Sequence, residues 1–154
     1  GEHGLTWHAN SLYDELLRVP LFIRLPGTAP RRVEDRVSLM DVGPTILDLF
    51  GVDTPPRWMG ESLTGYLRGK TPELTRPIVA ETRLKRTMVM PDGVKIIHDT
   101  RNHSVEVYDI TADPGELENL YQQQESADRL QVLSSFFRVH TLKRPGYNVP
   151  YRKW

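Results

Sequence analysis

The run Val19-Pro20-Leu21-Phe22-Ile23-Arg24-Leu25 constrains this chain more than any other stretch. Apolar side chains at successive rather than alternate positions read as a strand covered on both faces. Such strands belong to parallel sheets enclosed by helices. Pro26-Gly27 then turns the chain. A strand of this kind needs neighbours, and none can be found elsewhere in the 154 residues. The expectation is a rim strand of a larger sheet whose remaining strands are encoded before Gly1. The chain opens on glycine and not methionine, which fits a fragment.

The flanking segments read as short helices. Residues 1–9 have no apolar period and read as loop. Asn10 or Ser11 can cap a helix over residues 12–18, with Ser11 and Asp14 at capping-box spacing and Pro20 closing it. After an Arg/Pro-rich loop, Ser38 and Asp41 have the same spacing. They precede an apolar face of Leu39, Val42, Ile46, Leu47 and Phe50, with Gly51 as the C-terminal cap. A proline-rich loop holding Trp58 leads to a short helix over residues 61–67, closed by Gly69.

From Pro77 the period changes to two. Residues 78–82, 87–90, 94–97 and 105–108 read as four short strands, joined in part by tight turns at Pro91-Asp92-Gly93 and Arg101-Asn102-His103. Residues 127–140 form an amphipathic helix whose Leu130, Leu133, Phe136 and Phe137 can cover one face of that sheet. The predicted organisation is an incomplete α/β unit over 1–75, an antiparallel sheet plus helix over 76–142, and a basic, aromatic tail over 143–154.

Composition narrows the function. Twenty basic residues balance twenty acidic ones, so the basic excess of a nucleic-acid binder is missing. No apolar run approaches the roughly 20 residues of a membrane-spanning helix. The chain has no cysteine, which excludes disulfides and thiolate metal sites within it. The compartment stays open between periplasm, extracellular space and cytoplasm.

Three stretches together resemble the sulfatase family of the alkaline phosphatase superfamily, over nearly residues 1–123. The first is Gly1-Glu2-His3-Gly4, then His8-Ala9-Asn10-Ser11-Leu12-Tyr13-Asp14-Glu15 and Arg18-Val19-Pro20-Leu21. It is similar to the segment directly after the family's metal-binding Asp-His-Gly loop. The second is Asp41-Val42-Gly43-Pro44-Thr45-Ile46-Leu47-Asp48-Leu49 with Gly51 and Gly60-Glu61-Ser62-Leu63. The third is Val107-Tyr108-Asp109-Ile110, Asp113-Pro114-Gly115-Glu116 and Asn119-Leu120. It resembles the family's C-terminal subdomain motif.

The resemblance implies an α/β fold: the edge of an alkaline phosphatase-like parallel sheet sandwich, then a C-terminal four-stranded antiparallel sheet with one packed helix. It implies sulfate ester hydrolysis by a formylglycine nucleophile with calcium, both supplied upstream of Gly1. This chain has no nucleophile motif and is expected to hold none of the metal ligands, so alone it is expected to be inactive. The implied partners are an anionic sulfate or phosphate ester and the preceding part of the same catalytic domain. Phosphodiesterases, phosphonate monoester hydrolases and phosphoglycerol transferases share the pattern, and a non-catalytic interaction module is the alternative of another class.

His8 is the one candidate catalytic residue. By resemblance it falls where many members place a lysine or histidine that touches the sulfate and the leaving oxygen. An imidazole with an ordinary pKa of about 6.5 suits proton donation near neutral pH. Without the resemblance, His8 reads as a loop histidine packed beside Trp7. His3 either lines the rim of the substrate site or holds its loop by a hydrogen bond. Thr6 and Ser11 are weak nucleophile candidates, Ser11 being better explained as a cap. His98 and His103 flank a hairpin, where Asp99 offers only a poor third metal ligand, and read as surface residues.

Overall fold

The computed structural model describes residues 3–4, 11–71, 76–121 and 125–140. Helix α1 spans Asp14–Leu17 and α2 Val42–Leu49, the latter led by a 3-10 turn at Leu39–Asp41. Helix α3 spans Thr64–Leu67. Strands β1 (Ile78–Glu81), β2 (Lys85–Val89), β3 (Val94–Asp99) and β4 (Ser104–Asp109) pair in that order as an antiparallel meander. Helix α4 spans Glu125–His140.

Period-two side chains give the sheet two buried faces. Met88, Ile96 and Val107 pack with Leu133 of α4, and Leu130 and Phe136 join them. On the opposite face Val89, Ile97, Tyr108 and Ile110 pack against Leu12, with Tyr13 and Leu17 beside them. The sheet is therefore enclosed by α4 on one side and by the α1 segment on the other. The expected helix cover is present, and the register follows from the alternation. Hairpin geometry agrees with the turn residues. Gly93 adopts φ +89, and a Cβ there would lie 2.3 Å from the Thr111 hydroxyl oxygen.

The α2 motif is a clamp. Ser38 and Asp41 form the expected capping box, and Asp41 is fully buried. Asp41 Oδ2 accepts the Ser38 amide at 2.8 Å, Oδ1 accepts the Glu61 amide at 2.9 Å, and Arg76 adds an ion pair to Oδ1. Thr45 Oγ1 accepts the Leu63 amide at 2.8 Å, and Asp48 accepts hydrogen bonds from the hydroxyls of Ser62 and Thr64. These bonds tie residues 60–64 to the helix, where Gly60 passes too close to the Met40 carbonyl for any Cβ. Gly51 (φ +68) closes α2, with Val52 N–H on Leu47 O and Gly51 N–H on Asp48 O.

Two local expectations differ from the structure. Residues 19–25 form no strand: Phe22 is 91% exposed, and Val19 and Ile23 are exposed too. A strand exists only where a neighbour takes its backbone N–H and C=O groups, and the described residues supply none here. The second difference is the first cap. Tyr13, not Asn10 or Ser11, precedes α1, and it makes no side-chain cap. With Tyr13 as the cap, Asp14 is the first residue of α1 and not its third, so no capping box forms, and its carboxylate meets Lys95 across the fold.

Candidate functional site

Lys95 lies mid-strand on the face of β3 that meets the α1 segment, paired across the sheet with Val89 and Tyr108. Alternation calls for an apolar side chain there, yet a fully buried lysine occupies it. A buried ammonium is tolerated only where carboxylates and hydrogen bonds replace its water. Two carboxylates do so: Asp14 Oδ1 at 2.8 Å and Glu116 Oε1 at 2.7 Å. Glu116 itself is 2% exposed.

Glu116 ends the Asp113-Pro114-Gly115-Glu116 turn with φ +54, a left-handed conformation that a side chain other than glycine adopts at a cost. Asp113 shapes this turn, its Oδ2 accepting the amides of Leu117 and Glu118. The Glu116 carboxylate also accepts the Asp14 amide, the first N–H of α1. Its carbonyl oxygen accepts His3 Nε2 at 3.0 Å. The turn thus touches His3 and α1 together.

His3 stacks on Tyr13 with ring centroids 3.6 Å apart and planes 8° from parallel, and Glu15 Oε1 stands 3.7 Å from its Nδ1. Tyr13 donates to Glu106 Oε2 at 2.6 Å, and Tyr108 donates to the same oxygen at 2.9 Å. Burial, reinforced by the Glu106 carboxylate, pushes the Tyr13 phenol up to about 12 and raises Tyr108 further. Both therefore act as hydrogen-bond donors in the neutral form. The result is a polar wall with imidazole, phenols, carboxylates and one ammonium in contact.

Of the residues singled out from the sequence, His3 lies in this wall. His8, Thr6 and Trp7 lie outside the described residues. Ser11 is buried and its Oγ accepts the Tyr13 amide at 3.2 Å, a local turn contact. His98 is half-buried, with burial first and the Arg86 charge second holding its pKa down, while His103 is exposed. Asp99 spends its carboxylate on the hairpin, accepting the Arg101 and Asn102 amides at 2.9 and 3.0 Å. Sequence reasoning missed Lys95, Glu106 and the carboxylate role of Glu116. The one available signal was a lysine breaking the apolar alternation of β3.

Among the described residues no three His, Asp or Glu side chains gather as metal ligands. The calcium that the family resemblance implies is expected to be held by residues before Gly1.

Comparison with known proteins gives the family. The family model "N-sulphoglucosamine sulphohydrolase, C-terminal" matches residues 1–137. An N-acetylglucosamine-6-O-sulfatase of Bacteroides thetaiotaomicron is 33% identical over 167 aligned positions, covering 99% of this chain and 30% of that protein. A crystallised sulfatase candidate from the same species superposes with a TM-score of 0.68 at 26% identity, covering 84% of this chain and 31% of that one. A further structure, solved with its substrate D-glucosamine-2-N,6-O-disulfate, matches at TM-score 0.50 and 28% identity over 64% of this chain and 22% of that one. The chain spans less than a third of the length of these relatives. Its α/β fold with the four-stranded antiparallel sheet is that of the sulfatases, and the chain belongs to the sulfatase family, whose C-terminal portion it represents.

Proposed function

We propose that this chain is the C-terminal part of a hydrolase that cleaves sulfate esters. The observation that carries the reading is the family match over residues 1–137, supported by relatives whose names specify sulfate ester substrates. Cleavage needs a nucleophile at sulfur, neutralisation of the sulfate oxygens and protonation of the leaving oxygen. In this reading a formylglycine and a calcium ion held by the preceding part of the enzyme would supply the first two, and this chain supplies the third. His8 donates the proton to the leaving oxygen or contacts the sulfate. His3 lines the rim of the same site while its Nε2 holds the Glu116 carbonyl. Residues 76–142 then form a unit that backs the site, and residues 1–75 complete its catalytic domain.

The test compares the full-length protein with residues 1–154 on nitrophenyl sulfate, a glucosamine O-sulfate, bis-nitrophenyl phosphate and phenyl phosphonate. The full-length enzyme is expected to release sulfate, and the isolated chain to release none. His8→Ala in the full-length enzyme should lower kcat by roughly 10²–10⁴. Faster turnover of the phosphorus esters would replace the sulfate reading with a phosphodiesterase one. An unchanged kcat in the variant would remove His8 from the chemistry.

A further inference from the structure

We infer that Glu116 is a positioning residue: its turn fixes the placement of His3 and the start of α1 beside the substrate site. This rests on the sulfate-ester reading for the identity of the site, but the anchoring itself is a property of this chain. Three separate contacts leave from the one residue. The carbonyl takes His3 Nε2 at 3.0 Å, and the carboxylate takes the Asp14 amide and the Lys95 ammonium, the latter at 2.7 Å. Lys95 in turn holds Asp14 Oδ1 at 2.8 Å.

The arrangement closes a ring: Glu116 to Lys95, Lys95 to the Asp14 carboxylate, and the Asp14 amide back to Glu116. With Lys95 immobilised in the middle of β3, the ring transfers the rigidity of the sheet to a helix of four residues. Such a helix has too little internal bonding to hold its own position. The left-handed backbone of Glu116 aims carbonyl and carboxylate at the same segment, which explains a strained conformation at a residue other than glycine. His3 and Asp14 also bracket His8 in the sequence, so both flanks of that candidate are tied to one turn.

A stability role alone would loosen the whole sheet. A positioning role loosens only the segment that the ring holds. Glu116→Asp separates these, because it keeps the negative charge beside Lys95 while shortening the reach to the Asp14 amide. Glu116→Gln is the companion variant, keeping length and losing charge. Both are made in the full-length protein, with amide hydrogen exchange and kinetics on nitrophenyl sulfate as readouts.

The expected result for each variant is exchange at residues 11–17 faster by about tenfold or more, with β2–β4 amides keeping their protection. Where the enzyme turns over sulfate esters, kcat per folded molecule should fall roughly 10- to 100-fold while KM changes less than about threefold. Uniform loosening of the sheet, or an unchanged kcat, overturns the proposal. Unchanged exchange at residues 11–17 overturns it as well. Should the wild-type protein cleave no sulfate ester, the functional reading fails on its own account, and the exchange result alone decides whether Glu116 anchors the segment.

Discussion

The buried carboxylate of Asp41 meets the guanidinium of Arg76, so the capping box of the 3-10 turn that leads α2 is bonded to the chain just before the first strand of the sheet. The same carboxylate holds the amides of Ser38 and Glu61, and Glu61 Oε1 lies 3.4 Å from Arg76 Nε. Asp41→Ala leaves a mostly buried guanidinium with only the exposed Glu61 carboxylate as ion partner and two amides without their acceptor. The expected loss is about 3–5 kcal/mol, the usual result of removing one partner of a buried pair. Asp41→Asn keeps an acceptor and should lose less. Urea unfolding at neutral pH measures both, and equal losses would mean that the retained amide oxygen contributes nothing and the charge on Asp41 carries the whole effect.

Two glycines in the clamp make contrasting demands. A Cβ on Gly60 would lie 2.0 Å from the Met40 carbonyl oxygen and 2.6 Å from its carbon, both backbone atoms. On Gly43 it would lie 2.7 Å from Cζ3 of Trp58, whose ring is half exposed and free to swing outward. Gly60→Ala is therefore expected to cost more than about 3 kcal/mol by displacing backbone, and Gly43→Ala about 1–2 kcal/mol. Thermal unfolding of the two variants should rank them in that order. The reverse ranking would show that the Trp58 ring, not the Met40 backbone, is the rigid partner.

How much of this could be read from sequence depends on the range of the interaction. The antiparallel sheet was legible because alternation is local: Ile96 and Ile97 face opposite sides by geometry alone. Helix α2 was legible because Ser38, Asp41 and Gly51 act on their own neighbours. The strand expected at residues 19–25 is not formed, because strand formation is a property of a pair and the second member is not among the described residues. The Ser11–Asp14 capping box does not form because α1 starts later than expected, with Tyr13 as its cap. Lys95, 81 residues away, takes the Asp14 carboxylate. Of the candidate site, His3 was visible, but its partner Glu116 looked like a turn residue only.

Acid sensitivity should arise from Asp48 and Asp99. Hydrogen bonds from Ser62 and Thr64 hold the Asp48 carboxyl below its ordinary value of 3.8. Amides of the hairpin, that of Asn102 first, do the same for Asp99. A depressed pKa means that the unfolded chain binds these protons more readily, so stability rises with pH through the carboxylate range. The contribution is complete above about pH 5 and is lost as the pH falls through the folded-state values below 3.8. Asp48→Asn should flatten the stability curve between pH 5 and 3 in chemical denaturation. An unaltered slope would show that these bonds are no stronger folded than unfolded.

Alkali should act through Tyr13 in the opposite sense. Its phenol is raised to about 12 from an ordinary 10.0, by burial first and the Glu106 hydrogen bond second. A raised pKa gives stability that is whole below pH 10 and lost as the pH climbs through 12. Tyr13→Phe removes the donor to Glu106 and should abolish that part of the alkaline loss, at a cost near neutrality of about 1 kcal/mol. The difference in tyrosinate absorbance between wild type and Tyr13→Phe against pH follows the group. A Tyr13 ionising near 10 would mean that the Glu106 bond is absent in solution.

The exposed apolar run at residues 19–25 gives the sharpest comparison between the chain alone and the longer protein. Phe22 is 91% exposed here, and a side chain of that size buried in a sheet sandwich is worth about 1.5–3 kcal/mol. With residues 1–154 alone, Phe22→Ser removes no buried contact and should leave the melting temperature unchanged, while lowering the binding of a hydrophobic dye. In the full-length protein the same substitution should destabilise by about 2–4 kcal/mol if this segment pairs as a covered strand. The two measurements share one variant and differ only in what lies beside Phe22. A null effect in both would mean that residues 19–25 remain at the surface of the longer protein, and that the rim of its sheet lies elsewhere.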